Sequence, residues 1–340
     1  MAELTFAAAV RDGLAEEMRR DPLVWALGED LTTSVGSTSD VQYDGLMEEF
    51  GSDRVVNTPI SENMIMAAGV GAAVAGTRPV ADLRAVDFGL CAMDELVNQA
   101  AKIRYMFGGQ ARVPMVIRQA IGIRPGLAAQ HCLSNEAWFV HVPGLVVIAP
   151  ATPACGKGLL KAAIRSDDPV VLLEHKQLWS STGDVPDGDD LIVPIGQARI
   201  AREGTDLTIV AWSRMALLAT SAGERLAAQG IDAEVIDLRS LWPWDKERVY
   251  DSVRKTGRLL IPQEAVNVGG FAAEIAMDVM EAVGDALIMP PRRVGAPRVP
   301  MPYALELEAI CLVTDVHVEE AARKMFDKGE DATRNQLPVT

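Results

Sequence analysis

Short β-branched runs alternate with helical stretches along almost the whole chain, and this alternation constrains the fold more than any other feature. "LVWALGED", "RVVNTPI", "PVADLRA", "PMVIRQA", "LVVIAPA" and "PVVLLEH" read as strands. Between them the spacing predicts helices over 62–76, roughly 88–107, 134–141 and 153–165. Such βαβ alternation implies a mostly parallel sheet with helices on both faces. It breaks at "SSTGDVPDGDDLIVP", residues 180–194, where Ser, Gly, Pro and Asp signal an interdomain connection. Alternation then resumes with "DLTIVAW", "DAEVIDLRS", "RLLIPQE" and "RRVGAP" as strands. The helices expected beside them are 213–229, 244–255, 270–283 and 316–327.

A chain of 340 residues exceeds what one core of ~250–300 residues covers. The expected architecture is therefore α/β with two doubly wound domains. They span 1–185 and 195–330, with a linker at 186–194 and a flexible tail at 331–340. At the start, Phe6, Val10, Leu14 and Met18 recur at helical spacing in "MAELTFAAAVRDGLAEEMRR".

Charge and cysteines narrow the function classes. With 32 basic against 47 acidic residues the net charge is −15, which argues against nucleic acid, whose phosphates demand Lys and Arg. Such a surface serves solubility and suits a basic protein partner. Cys91, Cys132, Cys155 and Cys311 form no C-x-x-C pair and no metal-ligand spacing. Without a signal peptide, a reducing cytoplasmic location is expected.

One segment poses a question of its own. In "NTPISENMIMAAGVGAAVAG" a lone carboxylate, Glu62, heads an apolar run of small residues. The run Met64–Gly76 is shorter than the ~20 residues a bilayer span needs, so a buried helix is expected. Ala67, Ala68, Gly71 and Ala72 would let a second helix approach closely, within the chain or from another subunit. Glu62 is either a first-turn acid favoured by the helix dipole or a functional group. His131 precedes an expected helix start at Ser134, while His141 and His175 follow apolar stretches as core or rim residues. "RYMFGGQ" reads as a helix end with a Gly-Gly turn. No G-x-G-x-x-G after a strand, Walker motif, Ser-His-Asp signature or H-E-x-x-H is present.

Taken in order, "RVVNTPISE", "VDFGLCAMDELVNQAAKIRYMFGGQ", "AAQH", "PGLVVIAPATPACGKGLLKAAIRSDDPVV", "REGTDLTIV", "EVIDLRSLWPWD" and "VPMPYALELE" resemble one family across nearly the whole chain. That family is the β subunit of the thiamine-diphosphate-dependent E1 component of 2-oxo acid dehydrogenase complexes, of the pyruvate and acetoin branches. The resemblance implies a pyrimidine-binding domain followed by a transketolase C-terminal-like domain. It implies that Glu62 shares a proton with N1′ of the cofactor's aminopyrimidine, as a carboxyl group can. Phe88 falls where the family stacks an aromatic ring on that pyrimidine, and Ile60 where it lines the pocket. His131 matches an active-site His that moves protons and helps pass the acyl group to a lipoyl arm. Carbonyls at Met115, Ala163, Ser166 and Asp168 match a potassium site of some members. The family's G-D-G…N motif for diphosphate and Mg²⁺ is absent. An α subunit is therefore implied to hold Mg²⁺ and the rest of the cofactor, in an α2β2 heterotetramer.

Departures from the family pattern bear on substrate. Arg84 stands where an uncharged residue facing the cofactor is usual, Cys91 where Gln is common, and "QHCLSN" replaces "QHSQ". Arg84 is expected either to pair with Asp82, Asp87 or Asp94, or to bind an anionic substrate group. Arg298 in "APRVPMPY" replaces a frequent acid, which bears on docking to a lipoyl E2 acyltransferase. The resemblance implies oxidative cleavage of a 2-oxo acid or acyloin with acyl transfer to a lipoyl carrier. The alternatives are a split transketolase moving a ketol unit independently of E2, and a non-catalytic scaffold.

Overall fold

The structure, a computed structural model, describes residues 1–32, 40–186, 188 and 190–327. The expected tail at 331–340 lies outside the described residues, as do 187 and 189 of the expected linker. By packing, the chain forms two units. The first contains Met1–Gly122, Trp138–Gln197 and Arg239–Pro243; the second contains Ile123–Ala137, Ala198–Leu238 and the chain from Trp244 onward.

The strands of the first unit are β1 (Ala2–Thr5), β2 (Val24–Glu29), β3 (Val55–Thr58), β4 (Arg78–Ala85), β5 (Val116–Ile121), β6 (Val146–Ile148), β7 (Val170–His175) and β8 (Thr182–Val185). The second unit opens with β9 (Arg199–Arg202), β10 (Leu207–Ala211) and β11 (Ala233–Asp237). After β12 (Ser240–Trp242), which returns to the first unit, β13 (Leu259–Val266) and β14 (Arg292–Ala296) complete the second. The larger sheet has the order β12-β6-β7-β5-β4-β2-β3 and is parallel except at β12, which runs antiparallel to β6. The smaller sheet, β14-β13-β10-β11-β9, is parallel except at β9. Strands β5 and β7 are buried along their full length, as expected of a sheet covered on both faces.

Several elements differ from expectation. The break at 180–194 is not all loop: β8 lies just before the expected linker 186–194 and pairs antiparallel with β1. The helix expected over 88–107 is broken into Val86–Gly89, a 3-10 turn, a π-helical stretch Glu95–Ala100 and Ile103–Met106. At Gly89 a Cβ would meet the Gln119 amide oxygen at 2.6 Å. The segment is thus held by local packing against β5 and not by an even helical period.

The helix Glu62–Val74 is buried on one side only. Ile65, Met66, Gly69, Val70 and Ala73 face inward, and the close approach is at Gly69, where a Cβ would meet Met115 Cε at 3.0 Å. Gly71 has open space around it, and Met64, Ala67, Ala68 and Val74 are exposed. Among the described residues the small-residue face therefore has no helix against it, where a buried helix was expected. Ser134 does not start the next helix, which runs Glu136–Val140; its hydroxyl donates to Glu264 instead. Among the described residues no helix is long and apolar enough to cross a membrane.

Candidate active site

From β2 the chain goes out to β3 and then to β4 on the opposite side of β2, so strand order reverses there. Open α/β sheets take ligands at the carboxyl ends of the strands that flank such a reversal. Three of the residues singled out in the sequence lie in the elements at this edge. Glu62 opens the helix that follows β3, with Ser61 as its N-cap. Arg84 lies near the end of β4, and Phe88 lies in the short helix Val86–Gly89 just beyond. All three are half-buried. Sequence reasoning missed a fourth, Glu29, the last residue of β2. Burial pushes the Glu29 carboxyl above the usual range; Arg84 pulls it down, and Asp30, Glu62 and Asp82 push it up. Glu62, Asp82 and Arg84 thus all lie within electrostatic reach of Glu29.

Arg84 has a left-handed backbone, φ 59°, costly for a long side chain. Asp82 holds it there: one carboxylate oxygen accepts the Arg84 N–H at 2.8 Å and the other accepts the Tyr43 hydroxyl at 2.8 Å. Tyr43 lies under the Arg118 guanidinium, 5.0 Å from the ring centroid. Arg118 in turn donates to both Glu174 oxygens at 3.1 and 2.9 Å, and Gln42 donates to Glu174 at 2.7 Å. Gln42, Tyr43, Asp82, Arg118 and Glu174 are all buried. Burial alone disfavours the charged guanidinium, but Glu174, Tyr43 and Asp82 outweigh it and raise the Arg118 pKa. Burial, opposed by Arg118 and reinforced by Asp82, puts the Tyr43 phenol well above its usual range. Of the acids considered as partners for Arg84, Asp87 has no hydrogen bond to either carboxylate oxygen among the described residues, and Asp94 accepts from Asn98 at 2.6 Å.

Ile60 is 74% exposed, and Cys91 is exposed. At the positions matched to potassium, the Met115 carbonyl accepts from Val170 N–H at 3.0 Å and the Ala163 carbonyl from Ser166 N–H at 3.1 Å. The Ser166 carbonyl accepts from Arg78 at 2.8 Å, and Asp168 pairs through its side chain with Arg104. Among the described residues no three His, Cys, Asp or Glu side chains form a metal-ligating group.

His131 lies in the segment 123–137, which packs with the second unit, and is exposed. Close to it in sequence stands a buried carboxyl that the sequence did not flag. Glu136 is 1% exposed, accepts from Trp212 Nε1 at 3.1 Å, and leaves its second oxygen without a partner among the described residues. Burial raises its pKa from the ordinary 4.5 to about 7, with Glu264 adding to the rise. Between pH 4.5 and 7 the unfolded chain loses this proton while the folded chain keeps it, so folding stability falls as pH rises through that window. Glu136→Gln is expected to remove that slope. Its stability relative to the parent should climb by on the order of 3 kcal/mol from pH 4.5 to pH 8, read from urea midpoints. A difference that does not change with pH would refute the buried-proton assignment.

The geometry so far defines a two-unit α/β protein with a carboxylate, an aromatic ring and a cation at a strand-order reversal. Residues 2–181 match the family described as transketolase, pyrimidine binding domain, and residues 196–318 the family described as transketolase, C-terminal domain. A solved structure titled "Split gene transketolase, inactive beta4 tetramer" superposes with a TM-score of 0.75 over 94% of this chain and 98% of that one, at 24% identity; it shows the fold. The pyruvate dehydrogenase E1 component subunit beta of Rhizobium meliloti is 43% identical over 328 residues, 96% of this chain and 71% of that protein. The acetoin:2,6-dichlorophenolindophenol oxidoreductase subunit beta of Cupriavidus necator is 40% identical over 337 residues, 96% of this chain and 99% of that protein. The chain belongs to the family of E1 component β subunits, thiamine-diphosphate-dependent oxidoreductases with a transketolase-type fold.

Proposed function

We propose that the protein is the β subunit of a thiamine-diphosphate-dependent enzyme that decarboxylates a 2-oxo acid or cleaves an acyloin and passes the acyl group to a lipoyl carrier. The observation that carries it is Glu62, heading its helix at the strand-order reversal within electrostatic reach of a second acid, Glu29, whose carboxyl burial pushes above its usual range. A half-buried carboxyl after β3 and a half-buried aromatic ring after β4 fit the aminopyrimidine half of the cofactor. When bound, thiamine diphosphate supplies the nucleophilic carbon that adds to the substrate carbonyl and takes up the electrons of the broken bond. Glu62 would hold the proton it shares with the pyrimidine N1′, while Phe88 offers its ring face and Ile60 apolar surface. His131 would move a proton near the acyl group on its way to the lipoyl arm. Cys91 would line the same site.

The diphosphate and Mg²⁺ are assigned to an α subunit, with α2β2 as the proposed assembly. The bare face at Ala67, Ala68 and Gly71 supports such burial, as do Tyr105, Met106 and Phe107, which are 90%, 58% and 59% exposed. Apolar surface of this kind marks an interaction face. Potassium at the Ser166 carbonyl would share that oxygen with Arg78; a carbonyl has lone pairs for both. The acidic surface is consistent with docking to a basic domain of E2.

The test is a substrate panel with the assembled α and β chains, comparing reduction of an artificial acceptor with ketol transfer between sugars. Acceptor reduction by a 2-oxo acid or acyloin is the expected result, and ketol transfer alone would overturn it. Arg84 refines the substrate class. Its charge, held at the reversal by Asp82, suits an anionic substrate group. Arg84→Met is expected to lower kcat/KM for an anionic substrate about 10–100-fold, the worth of one charge-assisted hydrogen bond. A neutral acyloin should change less than about 3-fold, and equal losses for both would eliminate the role.

A further inference from the structure

The segment 123–137 is tied down by carboxylates from elsewhere in its own unit. One Glu264 oxygen accepts both the Ile123 N–H at 2.7 Å and the Ser134 hydroxyl at 3.2 Å. A single atom therefore closes the two ends of the segment on each other. The other Glu264 oxygen faces Arg214 at 3.5 Å. A second carboxylate, Glu308 in the helix Leu305–Cys311, accepts the Gly126 N–H at 3.0 Å. Glu264 and Glu308 are 7% and 2% exposed. Within the segment the Cys132 thiol points to the Arg124 carbonyl at 3.7 Å. Ala128 is held at φ 56°, a conformation that persists only where surrounding structure over-determines it.

Burying carboxylates is costly, and these are spent on backbone and hydroxyl donors of one segment and not on a core ion pair alone. What the segment carries at its centre, exposed, is His131. We propose that Glu264 and Glu308 are positioning residues: they clasp the 123–137 segment and so fix the place of His131. The inference rests on the proton-transfer role given to His131 above. Neither acid touches the reacting groups; each acts through the segment it holds. Displacement of a catalytic group by about 1 Å can cost on the order of 10²-fold in rate, so loosening the clasp has a large reach.

The test uses the β chain assembled with its α partner and loaded with cofactor. Glu264→Ala, Glu264→Gln, Glu308→Ala, His131→Ala and the double variant Glu264→Ala/His131→Ala are compared. Amide hydrogen exchange over 123–137 should accelerate at least ~10-fold in Glu264→Ala, with peptides of β10 unchanged. Lipoamide acylation should fall ~10–100-fold in the same variant. Glu264→Gln should recover most of both, because an amide oxygen still accepts from Ile123 and Ser134. In the His131→Ala background, Glu264→Ala should add no further loss. Should Glu264→Ala fail to assemble, Glu308→Ala reports on the Gly126 end alone. Wild-type exchange over 123–137 in both alanine variants, or fully additive losses in the double variant, would overturn the proposal. Wild-type acylation in His131→Ala would remove the role of His131 itself, and the exchange data would still decide the clasp.

Discussion

Glu62→Gln is expected to lower turnover of the assembled enzyme by ~10²–10⁴-fold, the range over which a positioned acid–base group contributes. Gln has the size and much of the hydrogen-bonding capacity of Glu but cannot hold or release a proton at its side chain. Glu62 lies in the first turn of its helix with no side-chain cap from Ser61. The exchange removes a favourable carboxylate near the helix start, worth only about 0.3–1 kcal/mol of stability. Folding, assembly and cofactor affinity should therefore survive where turnover does not. The neighbouring acid offers an internal check. Glu62 is one of the charges that push the Glu29 carboxyl up, so neutralising residue 62 should let the Glu29 titration move downward, visible by carboxyl-resolved NMR. Wild-type turnover in the variant would end the assignment of Glu62.

Most of the parallel strands were legible, though not their order in the sheet, because buried parallel strands are continuous β-branched runs such as "PVVLLEH" and "RLLIPQE". Strands β1 and β8 were not legible: each is short and stabilised mainly by pairing with the other across the length of the first unit. The helix over 88–107 was misjudged because its apolar spacing hides a contact only the fold reveals, Gly89 against Gln119 on β5. Glu62, Phe88 and His131 were found through their family motif, not through spacing. Glu29 carried a usable signal, an acid closing the first strand of a βαβ series, where ligands gather at a strand-order reversal. Glu136, Glu264 and Glu308 carried none. In the sequence they are acids beside apolar residues, and their burial depends on distant elements. Of the two glycines in the small-residue helix, Gly69 makes the close approach among the described residues, while Gly71 has open space around it, so the sequence did not tell which of them packs within the chain.

The network beneath the site carries the second large expectation. Glu174→Ala should destabilise the protein by about 3–5 kcal/mol, because it strands the fully buried Arg118 guanidinium without its carboxylate. Arg118 and Glu174 are 1% and 2% exposed, so water cannot readily compensate. Two Arg118 nitrogens already have no hydrogen-bond partner among the described residues, which leaves Glu174 as the main compensation. Gln42 loses its acceptor in the same substitution, loosening residues 40–43, and Tyr43 is the donor that Asp82 relies on. Through Asp82 the damage reaches the left-handed backbone of Arg84. Activity toward anionic substrates should therefore fall in the folded fraction as well. Replacing both partners, Arg118→Met with Glu174→Leu, should cost less than Glu174→Ala alone, since no unpaired charge is left in the interior. Urea unfolding of the assembled protein measures both. A loss below about 1 kcal/mol for Glu174→Ala would show that Tyr43 and Asp82 suffice to hold the guanidinium, and the electrostatic link from β7 to Arg84 would be lost.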